Sequence, residues 1–269
     1  MTSTETAPVD GVLARTLAAL ALDIGRRAAA LVAAADRDDL RSETKSSPTD
    51  LVTRYDRASE ALIVDALSAT RPDDAILGEE GSERAGTSGV RWIIDPIDGT
   101  TNFAYGFPGW AVSIGAEIEG FPAVGVVIVP TLAEEFVAWT GGGATRNGVP
   151  ISVRPPVGLD QALLATGCAY DRERRARQGR VIGELAARVR DIRRMGAAAV
   201  DLCSVACGRV DAYFEIGLSP WDLAAGRVVV AEAGGLVTGA RSDDVIIAAH
   251  PTLHAELSAV LDDLGAADV

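Results

Sequence analysis

The order of the predicted elements changes near residue 150, and this change limits the chain to a fold that mixes helices and sheets. Before that point, apolar runs over 111–118, 124–129 and 135–140 are separated only by short turns, a pattern typical of an antiparallel meander. Beyond it, short apolar strands alternate with helical patterns, which is typical of α/β units. The sequence therefore predicts an α+β half over residues 1–150 and an α/β half over residues 151–269.

Two helices are predicted ahead of the first strand. Apolar residues recur at helical spacing from about residue 8 to residue 35. Thr53 and Asp56 have the spacing of a capping box, which predicts that a second helix begins there, and Pro72 marks its end. The polar and charged residues 36–44 between the two helices predict a loop.

The charge balance disfavours some classes of partner. The chain carries 38 acidic and 25 basic residues, so its formal net charge is −13. Such a surface repels phosphate backbones and disfavours non-specific nucleic-acid binding. The N-terminus lacks the pattern of a signal peptide, and no apolar run is long enough to span a membrane. We therefore expect a cytoplasmic protein with no nucleic-acid or membrane partner.

Two short apolar runs lead directly into carboxylates. Residues 75–77 precede Glu79, and residues 92–94 precede Asp95. The carboxyl ends of strands are where open α/β sheets commonly bind ligands. Pro96 biases Asp95 towards an extended conformation, and Asp98 follows three residues later. Three carboxylates are thus predicted at one end of a sheet.

A turn and a helix start follow this acidic run. Gly99 permits a sharp turn, and the helix predicted from Thr100 would present free backbone N–H groups, which bind phosphate well. Carboxylates beside a phosphate repel it unless divalent cations lie between them, and Mg²⁺ prefers such oxygen ligands. Asp222, in the first turn of a later predicted helix, is a candidate fourth carboxylate. A negative side chain is also favoured at that position without any metal.

Nine arginines lie within residues 172–194. They have two interpretations. They form the solvated face of a helix, or they bind an acidic partner.

Taken together, these motifs resemble the inositol monophosphatase family. The matching segments occur in the family's order and cover residues 45–53, 78–80, 92–103, 147–148, 196–202, 211–215 and 220–226. The resemblance implies a layered α-β-α-β-α sandwich of the sugar phosphatase type.

The resemblance also implies a role for each matching residue. The implied metal ligands are Glu79, Asp95, the backbone carbonyl of Ile97, Asp98 and Asp222. The implied catalytic residues are Glu79, Thr100 and Asp50, of which Asp50 would accept a hydrogen bond from the Thr100 hydroxyl. The implied substrate-binding groups are Asp98, the backbone N–H groups of Gly99 and Thr100, the Ala198 backbone, and Glu215.

The implied activity is that of a lithium-sensitive phosphomonoesterase that uses two to three Mg²⁺ ions to activate a water molecule. The expected substrate is inositol 1-phosphate or a similar polyol monophosphate, and the expected assembly is a homodimer. Fructose 1,6-bisphosphate, histidinol phosphate and 3′-phosphoadenosine 5′-phosphate remain alternatives. Two other classes also remain open. One is a regulatory binding protein on the same fold, and the other is an almost wholly helical enzyme that uses diphosphates.

Overall fold

The computed structural model describes residues 10–36, 42–44, 51–240 and 244–269. Within them the helices are α1 (Gly11–Ala33), α2 (Arg54–Thr70), α3 (Thr100–Tyr105), α4 (Arg172–Ala186), α5 (Ala198–Ala206), α6 (Pro220–Glu232) and α7 (Pro251–Asp263). No helix in the described part of the chain is both long enough and apolar enough to cross a bilayer.

The strands fall into three sheets. A two-stranded sheet pairs β1 (Ser42–Thr44) with β2 (Leu51–Thr53). The strands of the large sheet are β3 (Ala75–Gly78), β4 (Glu83–Arg84), β5 (Val90–Asp98), β6 (Ala111–Ile118), β7 (Phe121–Val129), β8 (Glu134–Trp139), β9 (Gly143–Arg146) and β10 (Val149–Pro150). The strands of the smaller sheet are β11 (Leu163–Thr166), β12 (Asp191–Arg193), β13 (Ala212–Ile216), β14 (Leu236–Thr238) and β15 (Val245–Ala249).

The two larger sheets differ in the relative direction of their neighbouring strands, as the sequence predicts. The eight-stranded sheet has the order β10-β9-β8-β7-β6-β5-β3-β4, and only the β3–β5 pair in it is parallel. The five-stranded sheet has the order β12-β11-β13-β15-β14, and β11 runs parallel to both of its neighbours. Because β3 and β5 are parallel, their carboxyl ends lie at the same edge of the sheet.

Helices and sheets alternate in five layers. Helices α1 and α2 pack on one face of the eight-stranded sheet, and α6 packs on its other face. Helix α5 lies between α6 and the five-stranded sheet, whose far face packs against α4 and α7. This arrangement confirms the predicted layered sandwich. The division near residue 150 remains a prediction, and one apolar cluster contains both Phe136 and Tyr213.

Local sequence signals predicted most element boundaries correctly. The capping box of Thr53 and Asp56 is present at the start of α2. Asn147 and Gly148 have φ angles of 51° and 75°, which is the pattern of a type I′ hairpin. The predicted loop over residues 36–44 was wrong at 42–44, which form β1 by pairing with β2. That pairing is set by a partner strand later in the chain and leaves no local signal.

Asp201 is an ionisable side chain inside this apolar framework. It lies in the first turn of α5 and is buried. Neither carboxyl oxygen has a hydrogen-bond partner among the described residues. Burial, and then the charges of Glu215 and Asp98, hold the pKa of Asp201 well above its usual range. A raised folded-state pKa means that stability is lost as pH rises above the unfolded-state value.

Replacing Asp201 with Asn is therefore expected to stabilise the protein near pH 8. The amide keeps the shape of the carboxyl group but cannot ionise, so the melting temperature should rise by about 2–5 °C. Below about pH 4 the difference should vanish, because the carboxyl group is then protonated in both states. Thermal unfolding followed by circular dichroism across this pH range measures the effect.

Asp211→Asn is a matched control with the opposite expected sign. Asp211 accepts a hydrogen bond from the Leu163 N–H at 2.8 Å and lies 3.6 Å from the Arg154 guanidinium. Neutralising it removes favourable interactions, so its melting temperature should fall at pH 8. A lower melting temperature for Asp201→Asn at pH 8 would contradict the interpretation of Asp201 as an unfavourably buried acid.

Candidate active site

Three carboxylates from distant parts of the chain converge at the edge of the eight-stranded sheet. Asp95 and Asp98 lie on β5, and Asp222 lies in the first turn of α6. Each offers an oxygen atom, and these atoms all lie within 4.8 Å of one another. Because α6 packs directly against β5, the fold brings together residues that the sequence places far apart.

A β-bulge allows two carboxylates of one strand to point the same way. In a regular strand, residues three apart lie on opposite faces. Along β5 the pairing shifts, so that Asp95 pairs with Ser113 while Asp98 pairs with Ala111. Three steps on β5 thus match two steps on β6, and the extra residue reverses the alternation. Pro96 lies within the bulge, a site where a strand tolerates proline.

Helix N-termini hold two of these carboxylates in place. Asp98 accepts hydrogen bonds from the backbone N–H groups of Ala198 at 3.2 Å and Ala199 at 2.7 Å, at the start of α5. Asp222 accepts one from the Ser219 N–H at 2.7 Å, as part of a capping box. Both side chains are therefore oriented before any ligand binds. Asp222 lies in the first turn of α6, where a negative side chain is favoured without any metal, and this position is compatible with membership of the cluster.

Glu79 and Thr100 lie next to the strand that carries Asp95 and Asp98. Glu79 follows β3, and the charge of its carboxyl group adds to burial in raising the pKa of Asp95. The Thr100 hydroxyl lies 3.0 Å from the Ile97 carbonyl oxygen and 2.9 Å from Asp56 Oδ1. These contacts place both predicted catalytic side chains beside β5.

The structure places the Asp56 carboxylate on the Thr100 hydroxyl. Asp50, to which the family resemblance assigns a hydrogen bond from the same hydroxyl, lies outside the described residues, so that assignment stays a prediction. The second oxygen of Asp56 accepts hydrogen bonds from the Thr53 backbone N–H at 2.7 Å and the Thr53 hydroxyl at 2.6 Å. The sequence indicated only the capping contact, because the approach of Thr100 depends on how α2 packs against β5.

The electrostatics of the cluster are unfavourable in the protein alone. Burial, followed by the charges of the other carboxylates, holds the pKa of Asp95 and of Asp222 well above the usual range. Burial, with the charges of Glu79 and Glu215, raises the pKa of Asp98 to about 7, against the lowering effect of two backbone hydrogen bonds. Buried carboxylates with an all-oxygen donor set fit a hard divalent cation, which would offset both burial and repulsion.

Glu215 lies on β13 next to the cluster. The Tyr213 hydroxyl donates a hydrogen bond to Glu215 Oε2 at 2.6 Å. Burial raises the pKa of Glu215 to about 7, although the Tyr213 hydrogen bond and the Arg194 charge lower it. A Cβ atom at Gly167 would collide with the Glu215 carboxylate, so glycine makes room for this side chain. Tyr213 was not predicted, although two residues apart on one strand face the same side.

One cavity is lined by five of the predicted site residues. It has a volume of about 140 Å³, and its lining includes Asp98, Gly99, Ala198, Glu215 and Asp222. Glu79, Asp95 and Thr100 are attached to this group through the contacts described above. A larger cavity of about 640 Å³ lies between α1 and β8 and contains none of the predicted site residues.

Known proteins resemble this chain over nearly its whole length. The model of the inositol monophosphatase family matches residues 13–268. An inositol-1-monophosphatase of Synechocystis is 43% identical over 227 residues, covering 81% of this chain and 79% of the relative. A protein of Pasteurella multocida named Nus factor SuhB is 44% identical over 203 residues, covering 75% of this chain and 76% of the relative.

Solved structures show the same fold. The extragenic suppressor protein suhB from Bartonella henselae superposes with a TM-score of 0.85 at 34% identity, and the match covers 91% of this chain and 98% of that one. With the family match over residues 13–268, these likenesses show that the chain belongs to the inositol monophosphatase family.

Proposed function

We propose that this protein is a Mg²⁺-dependent phosphomonoesterase that hydrolyses inositol 1-phosphate or a similar polyol phosphate. The observation that carries the proposal is the convergence of Asp95, Asp98 and Asp222 within 4.8 Å beside a cavity that also contains Glu215. Their raised pKa values indicate a site built to hold positive charge. Family membership supports phosphatase chemistry.

We assign the metal sites from the resemblance to the family. Glu79, Asp95 and the Ile97 carbonyl would hold one ion, and Asp95, Asp98 and Asp222 would hold a second. A third ion would lie near Glu79. When bound, such cations supply Lewis acidity that activates water and neutralises the charge on the phosphoryl oxygens.

Thr100 is suited to orient the attacking water. Its hydroxyl has one hydrogen atom, and the two hydrogen-bond partners that it has among the described residues, Asp56 and the Ile97 carbonyl, are acceptors. The hydroxyl therefore donates to one of them, and its own lone pairs can accept a hydrogen bond from water. We assign to Glu79 the role of taking the proton that this water loses.

The phosphate and the rest of the substrate are bound by different groups. The backbone N–H groups of Gly99 and Thr100, at the turn that opens α3, are the donors that we assign to the phosphate oxygens. Glu215 is the acceptor that we assign to the substrate's vicinal hydroxyl groups, with Asp98 and the Ala198 backbone beside it. The Ala198 N–H already donates to Asp98, so it acts chiefly by orienting that carboxylate.

The decisive test is a phosphate-release screen with the purified protein. With Mg²⁺ present, inositol 1-phosphate should be hydrolysed with a higher kcat/KM than fructose 1,6-bisphosphate, histidinol phosphate or 3′-phosphoadenosine 5′-phosphate. Chelation of the metal should abolish release, and Li⁺ should inhibit it. If Mg²⁺ supports no phosphate release from any polyol phosphate, the proposed activity is wrong.

Tyr213→Phe should weaken substrate binding with little effect on kcat. Loss of the hydrogen bond raises the pKa of Glu215 further, so less of the carboxylate is ionised at pH 7. A hydrogen bond to a charged group is worth about 2 kcal/mol, and KM should therefore rise by roughly tenfold. The defect should shrink as the pH approaches 9, because Glu215 then ionises in both proteins.

Steady-state kinetics between pH 6 and 9 measure this effect. Tyr105→Phe is the control, since Tyr105 is 81% exposed on α3 and should leave both constants unchanged. A fall in kcat at constant KM for Tyr213→Phe would show that Glu215 does not act in substrate binding.

A regulatory binding role is a second candidate, because relatives at 44% identity are named Nus factor SuhB. The net charge of −13 favours a protein partner over direct contact with a nucleic-acid backbone. A cellular phenotype that survives loss of catalysis would support this role.

The expected homodimer remains a prediction, which sedimentation of the purified protein tests.

A further inference from the structure

The turn that carries Glu79 is held by a buried carboxylate of α2. Glu60 is only 2% exposed, and its side chain reaches the turn between β3 and β4. Its Oε2 atom accepts a hydrogen bond from the Glu80 N–H at 2.8 Å, and its Oε1 atom accepts one from the Ser82 N–H at 3.0 Å. Both oxygens of one side chain thus hold a turn whose first residue is Glu79.

Other backbone contacts fix the two ends of this turn. The Gly78 N–H donates to the Ser82 carbonyl at 2.7 Å, and the Glu79 N–H donates to the Ile94 carbonyl on β5 at 3.1 Å. A Cβ atom at Gly78 would lie 2.5 Å from the Glu60 carboxyl group, so glycine lets this carboxylate approach the backbone. Backbone N–H groups of a turn that converge on one anion form a concave binding site, and here the anion is a side chain of the protein.

The same face of α2 contacts two other segments of the site. Asp56, one helical turn before Glu60, accepts a hydrogen bond from the Thr100 hydroxyl at 2.9 Å. The Ser59 hydroxyl donates to the Pro96 carbonyl, in the bulge of β5, at 3.1 Å. These three side chains of α2 are buried, and residues three and four apart lie on one face of a helix. One helix face therefore holds the turn of Glu79, the bulge of β5 and the start of α3.

Attachment of α2 to the sheet does not by itself require a buried carboxylate. Apolar side chains of the helix, such as Ile63 and Leu67, already pack into the core. Burying a carboxylate is unfavourable unless its hydrogen bonds are satisfied, and Glu60 satisfies them on the turn of Glu79. The contact therefore indicates that the shape of this turn matters beyond the packing of the helix.

We infer that Glu60 is a positioning residue, which fixes the backbone turn of Glu79 and so orients the Glu79 carboxylate for metal binding. The inference rests on the proposed function, in which Glu79 is a ligand of the first ion. Mg²⁺ requires near-ideal octahedral geometry, and removing a group that orients a metal ligand typically weakens metal affinity by about 10–100-fold. In this assignment Glu60 acts only through the turn that it holds.

Glu60→Gln is the test variant. Its amide has nearly the same shape but accepts hydrogen bonds at only one of its two ends, so one N–H group of the turn would face an NH₂ group. The apparent Kd for Mg²⁺, measured by a thermal-shift titration without substrate, should rise by about tenfold or more. The Mg²⁺ concentration that gives half-maximal phosphate release should rise by a similar factor. Glu60→Asp keeps both acceptors on a shorter side chain, so it should show a smaller rise and serves as the test if Glu60→Gln does not fold.

Glu232→Gln is a matched control at the opposite end of α6 from Asp222. The two carboxyl oxygens of Glu232 accept hydrogen bonds from the Gly141 N–H at 3.0 Å and the Gly143 N–H at 2.8 Å. The same substitution therefore breaks the same kind of turn contact away from the carboxylate cluster. Both variants should lower the melting temperature of the metal-free protein, whereas only Glu60→Gln should weaken Mg²⁺ binding.

Hydrogen exchange supplies a readout that needs neither metal nor turnover. In metal-free wild-type protein, the amide protons of Glu80 and Ser82 should exchange slowly with solvent, because both are bonded to a buried carboxylate. Glu60→Gln should accelerate the exchange of at least one of them by about tenfold or more. Glu232→Gln should leave both rates unchanged.

The outcomes separate the role of Glu60 from the proposed function. A folded Glu60→Gln protein with the wild-type affinity for Mg²⁺ would overturn the positioning role and leave the phosphatase assignment standing. So would an equal loss of affinity in Glu232→Gln. Wild-type protein that binds Mg²⁺ but releases no phosphate from any polyol phosphate would overturn the proposed function, while the affinity comparison would still decide the role of Glu60. Wild-type protein that binds no Mg²⁺ would overturn both.

Discussion

Asp95→Asn is expected to reduce kcat for phosphate release by at least about 10³-fold, because it weakens a ligand that both proposed metal sites share. The fold should survive the change. Asp95 is buried among other carboxylates, and its pKa is held well above its usual range. An amide at this position removes repulsion, so the metal-free variant should melt at or above the wild-type temperature at pH 8.

The response to Mg²⁺ should separate the two proteins further. Ligand at 100 times its Kd stabilises a protein by about 2.7 kcal/mol, or roughly 5–10 °C in melting temperature for a chain of this size. Wild-type protein should show that gain, and Asp95→Asn should lose most of it. A thermal-shift titration measures the gain without relying on catalysis.

The sign of the pH dependence follows from the raised pKa values. Metal-free wild-type protein should lose stability as pH rises above about 4 and through the Asp98 pKa of about 7, because the buried acids resist ionisation. Mg²⁺ should reduce this loss.

Asp65→Asn is the control for Asp95→Asn, because Asp65 is exposed on α2 and carries the same formal charge. It should leave both activity and the Mg²⁺ response unchanged. If Asp95→Asn kept its turnover, or melted far below wild-type protein without metal, the assigned role of Asp95 would be wrong. A cellular phenotype that Asp95→Asn still supports would favour the regulatory candidate.

Gly99→Ala is expected to damage both stability and activity, because this residue has a left-handed conformation in a crowded place. Its φ is 86°, and a Cβ atom would lie 3.0 Å from the Ala197 Cβ and 3.2 Å from the carbonyl oxygens of Gly109 and Gly196. The conformation alone costs about 1–2 kcal/mol for alanine. The contacts would also push apart the strand that carries Asp98 and the loop that precedes α5.

The expected loss in kcat/KM for Gly99→Ala is about 10²-fold, since small displacements of positioning groups have effects of that size. Gly120→Ala is a matched control, because Gly120 has a φ of 79° but no atom within 4 Å of the added Cβ. Gly120→Ala should lower the melting temperature only because alanine is strained in the left-handed backbone conformation, and it should leave kcat/KM unchanged. Equal losses of activity in the two variants would contradict a special role for the Gly99 turn.

Local sequence features are enough to predict several elements of the fold. Apolar spacing predicts α1, and the Thr53–Asp56 capping box predicts where α2 begins. The glycine at position 148 permits the φ angles that the hairpin needs. These features depend on residues within a few positions of one another. The resemblance to the family added the assignment of distant carboxylates to one site.

Other features depend on contacts that no short segment contains. The bulge that turns Asp95 and Asp98 to the same face arises from the pairing of β5 with β6. The contact of Thr100 with Asp56 requires α2 to pack against β5. The register of two paired strands and the packing of a helix on a sheet leave no signal in a short segment, because both depend on the apolar surface that the two partners bury together.

Residue types and their spacing in the sequence are enough to predict the chemical groups of the site and to identify the family of the protein. The tertiary structure was needed to show that Asp56 meets the Thr100 hydroxyl and that α5 orients Asp98. Those arrangements result from the packing of layers far apart in the chain. Their physical cause is the burial of apolar surface, which brings charged groups together that would otherwise remain in water.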